Sequence, residues 1–137
     1  MRSEQNKQVV RQFNISVIQQ GDRAAFDALM APDFVNHSAP PGMPTGPDGM
    51  WHTFEHVLRP ALTGLTVEIH EQLCDGDKVT TRKTIHGTHT GTLAGIPATG
   101  RKVAIDVIDI VRVHEGRYAE HWGINTLPAT LASLRTP

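Results

Sequence analysis

The chain has 137 residues, of which 39% are hydrophobic and 20% charged, with a formal net charge of −1 and a pI near 6.7. That balance excludes a disordered chain, which cannot bury enough apolar surface, and a dedicated nucleic-acid binder, which needs a basic face. A small molecule or a protein is the expected partner, and the length suits one domain, residues 1–137, with a core of its own.

Cys74 is the only cysteine, which rules out an internal disulfide and a cysteine-based metal cluster and suggests a reducing compartment. The polar start MRSEQNKQVVRQ lacks the apolar centre of a secretory signal. Nor does any apolar run approach the ~20 residues of a membrane span, so a cytoplasmic protein without a membrane partner is expected.

From Glu4 to Gln20, Val9, Val10, Phe13 and Val17 recur at helical spacing, and Gly21 stands where a helix would stop. Asp22 can cap a short second helix through Met30, with Ala25, Phe26 and Leu29 inward, until Pro32 interrupts it. The run SAPPGMPTGPDG, Ser38 to Gly49, is too rich in Pro and Gly for a regular element and reads as a long loop. Asp48 can cap a third helix to about Leu62, with Trp51, Phe54, Val57 and Leu58 on its apolar side and Pro60 ending or kinking it.

After Gly64 the pattern turns to β. LTVEIHEQLCDGD, KVTTRKTIHGTHTG and RKVAIDVIDIVRVHEGRYAEHWGIN are rich in β-branched residues and punctuated by DGD, GIPATG and HEG. These are successive antiparallel strands joined by turns, so the chain is α+β, helices first and a curved sheet second.

The last two strands can be paired on paper. A three-residue HEG loop with Gly116 in a bulge sets Asp109 opposite His121, Val107 opposite Gly123 and Ile105 opposite Asn125. A two-residue loop slips the register by one, so that Ile110 faces His121 and Asp106 lies beside Asn125. The first register aligns Val103, Ile105, Val107, Val111 and Val113 on one face with Asp109 as the single polar exception, and His121 is then its partner. Such a pair either works as an acid/base couple or simply satisfies itself inside the sheet.

Three stretches carry a family resemblance: PDFVNH (Pro32 to His37), GDKVTTRKTIHGTHTGTLAGIPATGRKV (Gly76 to Val103) and IDIVRVHEGRYAEHW (Ile108 to Trp122). Through them the chain resembles the SnoaL-like polyketide cyclases of the nuclear transport factor 2-like superfamily. The resemblance implies a cone-shaped α+β barrel, a strongly curved antiparallel or mixed sheet enclosing a pocket closed by the N-terminal helices. It also implies association through the outer sheet face, as a homodimer or homotetramer, and intramolecular aldol closure of a polyketide ester without metal or cofactor.

In that family an aspartate directly after His-Trp serves as general acid/base; here His121 and Trp122 match, but the next residue is Gly123, which cannot carry a proton. Neither Asn125 nor Thr126 supplies the missing acid. Either Asp109 takes over beside His121, or the domain binds a small hydrophobic carbonyl compound without transforming it, or it runs hydrolysis or dehydration on the same scaffold.

The ligand-lining candidates are Asn36, His37, Trp51, Phe54, Arg82, Val107, Trp122 and Asn125. Arg82 and Arg112 are expected in ion pairs with Asp106 or Glu120, with carboxylate binding as the alternative for Arg82. His52 and His56, four apart in HTFEH, lack a third ligand, so no metal is expected. The Gly- and Thr-rich IHGTHTG, with His86 and His89, reads as a strand end packed closely on a neighbour.

Overall fold

The computed structural model describes residues 2–137. Helix α1 (Arg2–Gln12) runs on through a wider, π-helical segment, Phe13–Gln19. Val10, Phe13, Val17 and Ile18 are buried along it, and so is Asn14, whose amide donates to the Val10 carbonyl at 2.8 Å. The winding changes beside this backward bond. Gly21, at φ 69°, turns the chain out, and the Arg59 guanidinium closes the helix end by donating to the carbonyls of Val17, Ile18 and Gln19. Asp22 then accepts from the Ala25 amide and starts α2 (Arg23–Leu29).

The third helical stretch comprises α3 (Pro47–His52), a π-helical segment Thr53–Leu58 and a last turn, α4 (Arg59–Ala61). It begins with Gly46 in the cap position and Pro47 in the first turn, not with Asp48 as cap. It ends just past Pro60. No helix among the described residues is long and apolar enough to cross a membrane.

The strands are β1 (Met30–Asn36), β2 (Leu62–Asp75), β3 (Lys78–His89), β4 (Lys102–His114) and β5 (Arg117–Asn125), in the order β1-β5-β4-β3-β2. β1 is parallel to β5 and the other pairings are antiparallel, so the sheet is mixed; it curls without closing. The second helix stops at Leu29, before Pro32 as expected, and Pro32 itself lies in β1, an edge strand, where the missing N–H breaks no interior ladder. A closing helix, α5 (Leu127–Leu134), also lies outside the sequence reading. Val79, Ile85, Ile105, Val111 and Val113 on the concave face pack with Val10, Phe13 and Val17, and Phe13 stacks on Tyr118 at 4.1 Å between ring centroids. At the far end of β3 an added Gly87 β-carbon would stand 2.8 Å from the Leu62 β-carbon, the close packing expected of IHGTHTG.

The last hairpin has the two-residue loop of the second alternative, but beyond it the pairing follows neither proposed register. The turn is the two-residue Glu115-Gly116, with φ of 51° and 76°, and His114 pairs with Arg117. Val113 then faces Tyr118 while Arg112 faces Glu120, so Ala119 is an extra, bulged residue. Turn and bulge together shift the pairing by two from the three-residue-loop register. Asp109 therefore stands opposite Gly123, Val111 opposite His121, and Val107 opposite Asn125. Because side chains alternate with period two, a shift of two keeps Asp109 and His121 on the same face, now as diagonal neighbours.

Candidate functional site

A cavity of about 220 Å³ lies between the concave face of β3 to β5 and the third helical stretch, with Ser38 and Pro40 of the loop after β1 along its rim. Met50, Phe54, Val57, Leu58, Ile85, Ile105, Val107 and Leu127 make its walls apolar. Asn36, Lys83, Asp109, His121 and Asn125 are gathered on the sheet side.

At the centre is His121. The Asn36 side-chain oxygen accepts from the Ser38 amide at 3.0 Å and lies 2.8 Å from His121 Nδ1. A backbone amide can only donate, so the atom facing both groups is the amide oxygen, and Nδ1 is the protonated nitrogen of the ring. Nε2 of the neutral ring is left with its lone pair, 3.3 Å from Asp109 Oδ2. If the ring gains a proton there, the carboxylate accepts it in a charge-assisted hydrogen bond.

Asp109 is buried, and its Oδ2 also meets the ammonium of buried Lys83 at 3.3 Å. Lys83 Nζ in turn donates to Asn14 Oδ1 at 2.6 Å. Burial pushes the Asp109 carboxyl up, but the Lys83 charge, and after it the hydrogen bond and charge of His121 when that ring is protonated, outweigh burial and hold it below its ordinary value. Asp109 is thus a carboxylate at neutral pH, suited to holding a cation and poorly suited to donating a proton. Its Oδ1 has no hydrogen-bond partner among the described residues. The Tyr118 phenol, raised by burial and then by the Asp109 charge, stays neutral.

Gly123 is what allows this arrangement. A β-carbon there would stand 3.0 Å from His121 Cε1, 3.2 Å from its Nε2 and 3.3 Å from the Asp109 β-carbon. The imidazole occupies the space that a side chain at 123 would claim, and in doing so reaches diagonally to Asp109. The Gly123 amide donates to Ser38 Oγ at 2.8 Å, which fastens the loop over this point.

Of the residues singled out from the sequence, Asn36, Phe54, Val107 and Asn125 line the cavity with Asp109 and His121. Four others lie elsewhere. Trp122, one residue after His121, faces the convex side and stacks on His37 at 4.8 Å. His37 Nε2 lies 2.7 Å from Glu120, which also accepts from Arg112. Trp51 packs on Phe26 under the Arg23 guanidinium. Arg82 pairs with Glu71 at 2.7 Å on the convex face, in place of the expected Asp106 or Glu120. Alternation explains Arg82 and Trp122: each has the wrong parity for the concave face. His52 and His56 lie 5.5 Å apart between ring centroids, and no group of three or more His, Cys, Asp or Glu that could hold a metal stands together among the described residues.

Lys83 and Asn14 escaped the sequence reading. The signal for Lys83 was present, since Val79, Thr81, Lys83 and Ile85 share the parity of the buried face, and a lysine there requires a buried anion. Asn14, between Phe13 and Val17, carries the same message on the helix.

A curled sheet with helices packed into its concave side around a cavity is the architecture of nuclear transport factor 2-like and ketosteroid isomerase-like proteins. Within that class the chain belongs to the SnoaL-like polyketide cyclase family, whose pattern matches residues 8–134. TsrD from Streptomyces laurentii superposes with a TM-score of 0.84 at 25% identity over 96% of both chains. IdmH from Streptomyces antibioticus gives 0.82 at 28% identity, over 96% of this chain and 99% of that one. Aklanonic acid methyl ester cyclase DnrD from Streptomyces peucetius is 34% identical over 47 residues, 34% of this chain and 32% of that protein. The match thus spans about a third of that cyclase's length.

Proposed function

We propose that this protein is a cofactor-independent acid/base enzyme that closes a ring in a largely apolar carbonyl compound, of the kind named in its cyclase relatives, aklanonic acid methyl ester. The observation that supports this reading is a histidine whose Nδ1 proton is committed to Asn36 and whose Nε2 stands beside a carboxylate in an apolar cavity. His121 Nε2 takes a proton from the carbon between two carbonyls, an acidic C–H, and Asp109 stabilises the imidazolium that forms. The enolate carbon attacks a third carbonyl, further along the same molecule, forming the ring C–C bond while that C=O π pair becomes the alkoxide. The imidazolium returns its proton to the alkoxide. Substrate and product have equal mass, and the cavity's share of the rate is to bring the two carbons together.

The test is incubation with aklanonic acid methyl ester and related 1,3-dicarbonyl esters, followed by chromatography for an isomer of unchanged mass. The reading requires that His121→Ala abolish the new isomer. It is abandoned if this variant matches the wild type on an ester that the wild type converts.

A second reading, a ligand-binding protein without turnover, draws on Gly123, which removes the acid that the resemblance leads one to expect. Binding of the unconverted ester with no isomer formed would favour it. We also propose that a second copy sits on the convex sheet face, where Ile108, Ile110 and Ile124 are exposed on adjacent strands and Trp122 lies among them.

A further inference from the structure

We propose that Lys83 is the oxyanion-binding group of this cavity, donating to the ligand oxygen on which negative charge develops, so that the preferred ligands carry an ionisable enol or phenol. The inference rests on the reading that His121 removes a proton from the ligand.

An ammonium has three N–H donors. One is used by Asn14 Oδ1 at 2.6 Å and a second faces Asp109 Oδ2 at 3.3 Å. The third has no protein partner among the described residues, and Lys83 lines the cavity. Buried polar hydrogens are seldom left unmatched, so a donor in this position calls for an acceptor from the ligand.

Charge counting gives the same answer. Before reaction the buried groups are one ammonium, one carboxylate and one neutral imidazole, which sum to zero. When the C–H bond breaks, its proton goes to His121 Nε2 and its electron pair goes to the carbonyl oxygen as an enolate. Imidazolium and enolate appear together, and the sum is again zero. Asp109 Oδ2 lies 3.3 Å from both cations. Once His121 is protonated it competes for that oxygen, and Lys83 is freed to pair with the enolate. The carboxylate exchanges one partner for another and no charge is left unpaired in an apolar cavity, the condition under which oriented donors act most strongly on a developing charge.

The experiment uses 4-nitrophenol, whose phenolate absorbs apart from the neutral phenol and imitates an enolate without being able to cyclise. Titration of the probe with the whole protein across its ionisation range should show the bound probe ionising at lower pH, with the phenolate bound about tenfold or more tighter than the phenol. Lys83→Met should abolish the preference. Since that change strands Asp109, the double variant Lys83→Met with Asp109→Asn, which removes both charges at constant shape, is measured beside it, with circular dichroism to confirm folding. A wild type that does not prefer the phenolate, or a folded double variant that keeps the preference, overturns the assignment. The two proposals fail separately: absent turnover with the phenolate preference intact removes only the aldol reading, whereas turnover with a preference indifferent to Lys83 removes only this one.

Discussion

Replacing Gly123 with alanine separates catalytic geometry from stability. The backbone at 123 does not have a positive φ, so an alanine fits the strand without torsional strain. Its β-carbon would nevertheless meet His121 Cε1 at 3.0 Å and Nε2 at 3.2 Å. Carbon atoms in ordinary contact sit about 3.5–4.0 Å apart, so the ring must retreat by roughly half an ångström. The same β-carbon would stand 3.3 Å from the Asp109 β-carbon, so the crowding falls on the pair itself and disturbs a contact that already stands at 3.3 Å. Misplacing a reacting group by about 1 Å can cost about a hundredfold, so a loss of about tenfold in kcat/KM is expected. Stability should barely change, because Ala in place of Gly in a strand gains roughly 0.5–1 kcal/mol, which offsets the repacking. Turnover of a 1,3-dicarbonyl ester and the urea midpoint of the same preparation measure the two quantities. Undiminished turnover, or a loss accompanied by an equal fall in folded fraction, would refute the argument that an empty position 123 sets the ring.

The remaining predictions concern the buried charges and the convex face. At 3.3 Å the Lys83 and Asp109 charges attract by roughly 5 kcal/mol gross at an effective dielectric of about 20, most of it cancelled by desolvation. Asp109→Asn strands a buried ammonium and should cost about 3–5 kcal/mol in chemical denaturation, whereas adding Lys83→Met should restore most of the loss; additive costs in that cycle would mean that the pair does not interact. Asp109 has a folded pKa below its ordinary 3.8, so its contribution to stability is fully present above that value and disappears as pH falls through the folded value. The stability gap between wild type and Asp109→Asn should therefore shrink in acid, and a gap that is constant with pH contradicts this. Ile124→Glu, at a side chain 73% exposed, should leave the fold intact but yield a monomer by analytical ultracentrifugation if the convex face seats a second copy; an unchanged oligomer counts against that face.

What the sequence disclosed follows from which forces act locally. The first helix, its stop at Gly21 and the Asp22 cap were legible because periodicity, a positive φ and a capping carboxylate are properties of neighbouring residues. Met30 to Asn36 was not legible as a strand, because its only sheet partner is β5, more than eighty residues along the chain, and Pro32 tells only where the helix must stop. The hairpin register failed for a related reason. Turn length could be weighed from HEG, but the bulge at Ala119 answers to the curvature of the whole sheet. Parity survived, and with it the proximity of Asp109 and His121. Lys83 is legible only by way of Asp109: a buried carboxylate needs a cation, and β3 supplies one with the parity of the buried face.

The glycine after His-Trp bears on more than the loss of an acid. A side chain at 123 and the imidazole of His121 in its present rotamer compete for one volume, so the expected aspartate could not simply be added to this site. With that aspartate absent, the ring lies across the strand to Asp109, and the negative charge near Nε2 comes from β4 instead of β5. A carboxylate placed there, buried and held ionised by Lys83, cannot be a proton donor near neutrality. It can, however, accept a hydrogen bond from Nε2–H once the ring carries a proton there, so that the imidazolium forms next to an anion. The proton-carrying role thereby falls to histidine, and the acid/base character of the site depends on an ion pair, Lys83 with Asp109, that never exchanges a proton itself. The same pair requires a ligand able to accept the remaining lysine N–H, which links the chemistry proposed for His121 to the kind of oxygen the cavity prefers.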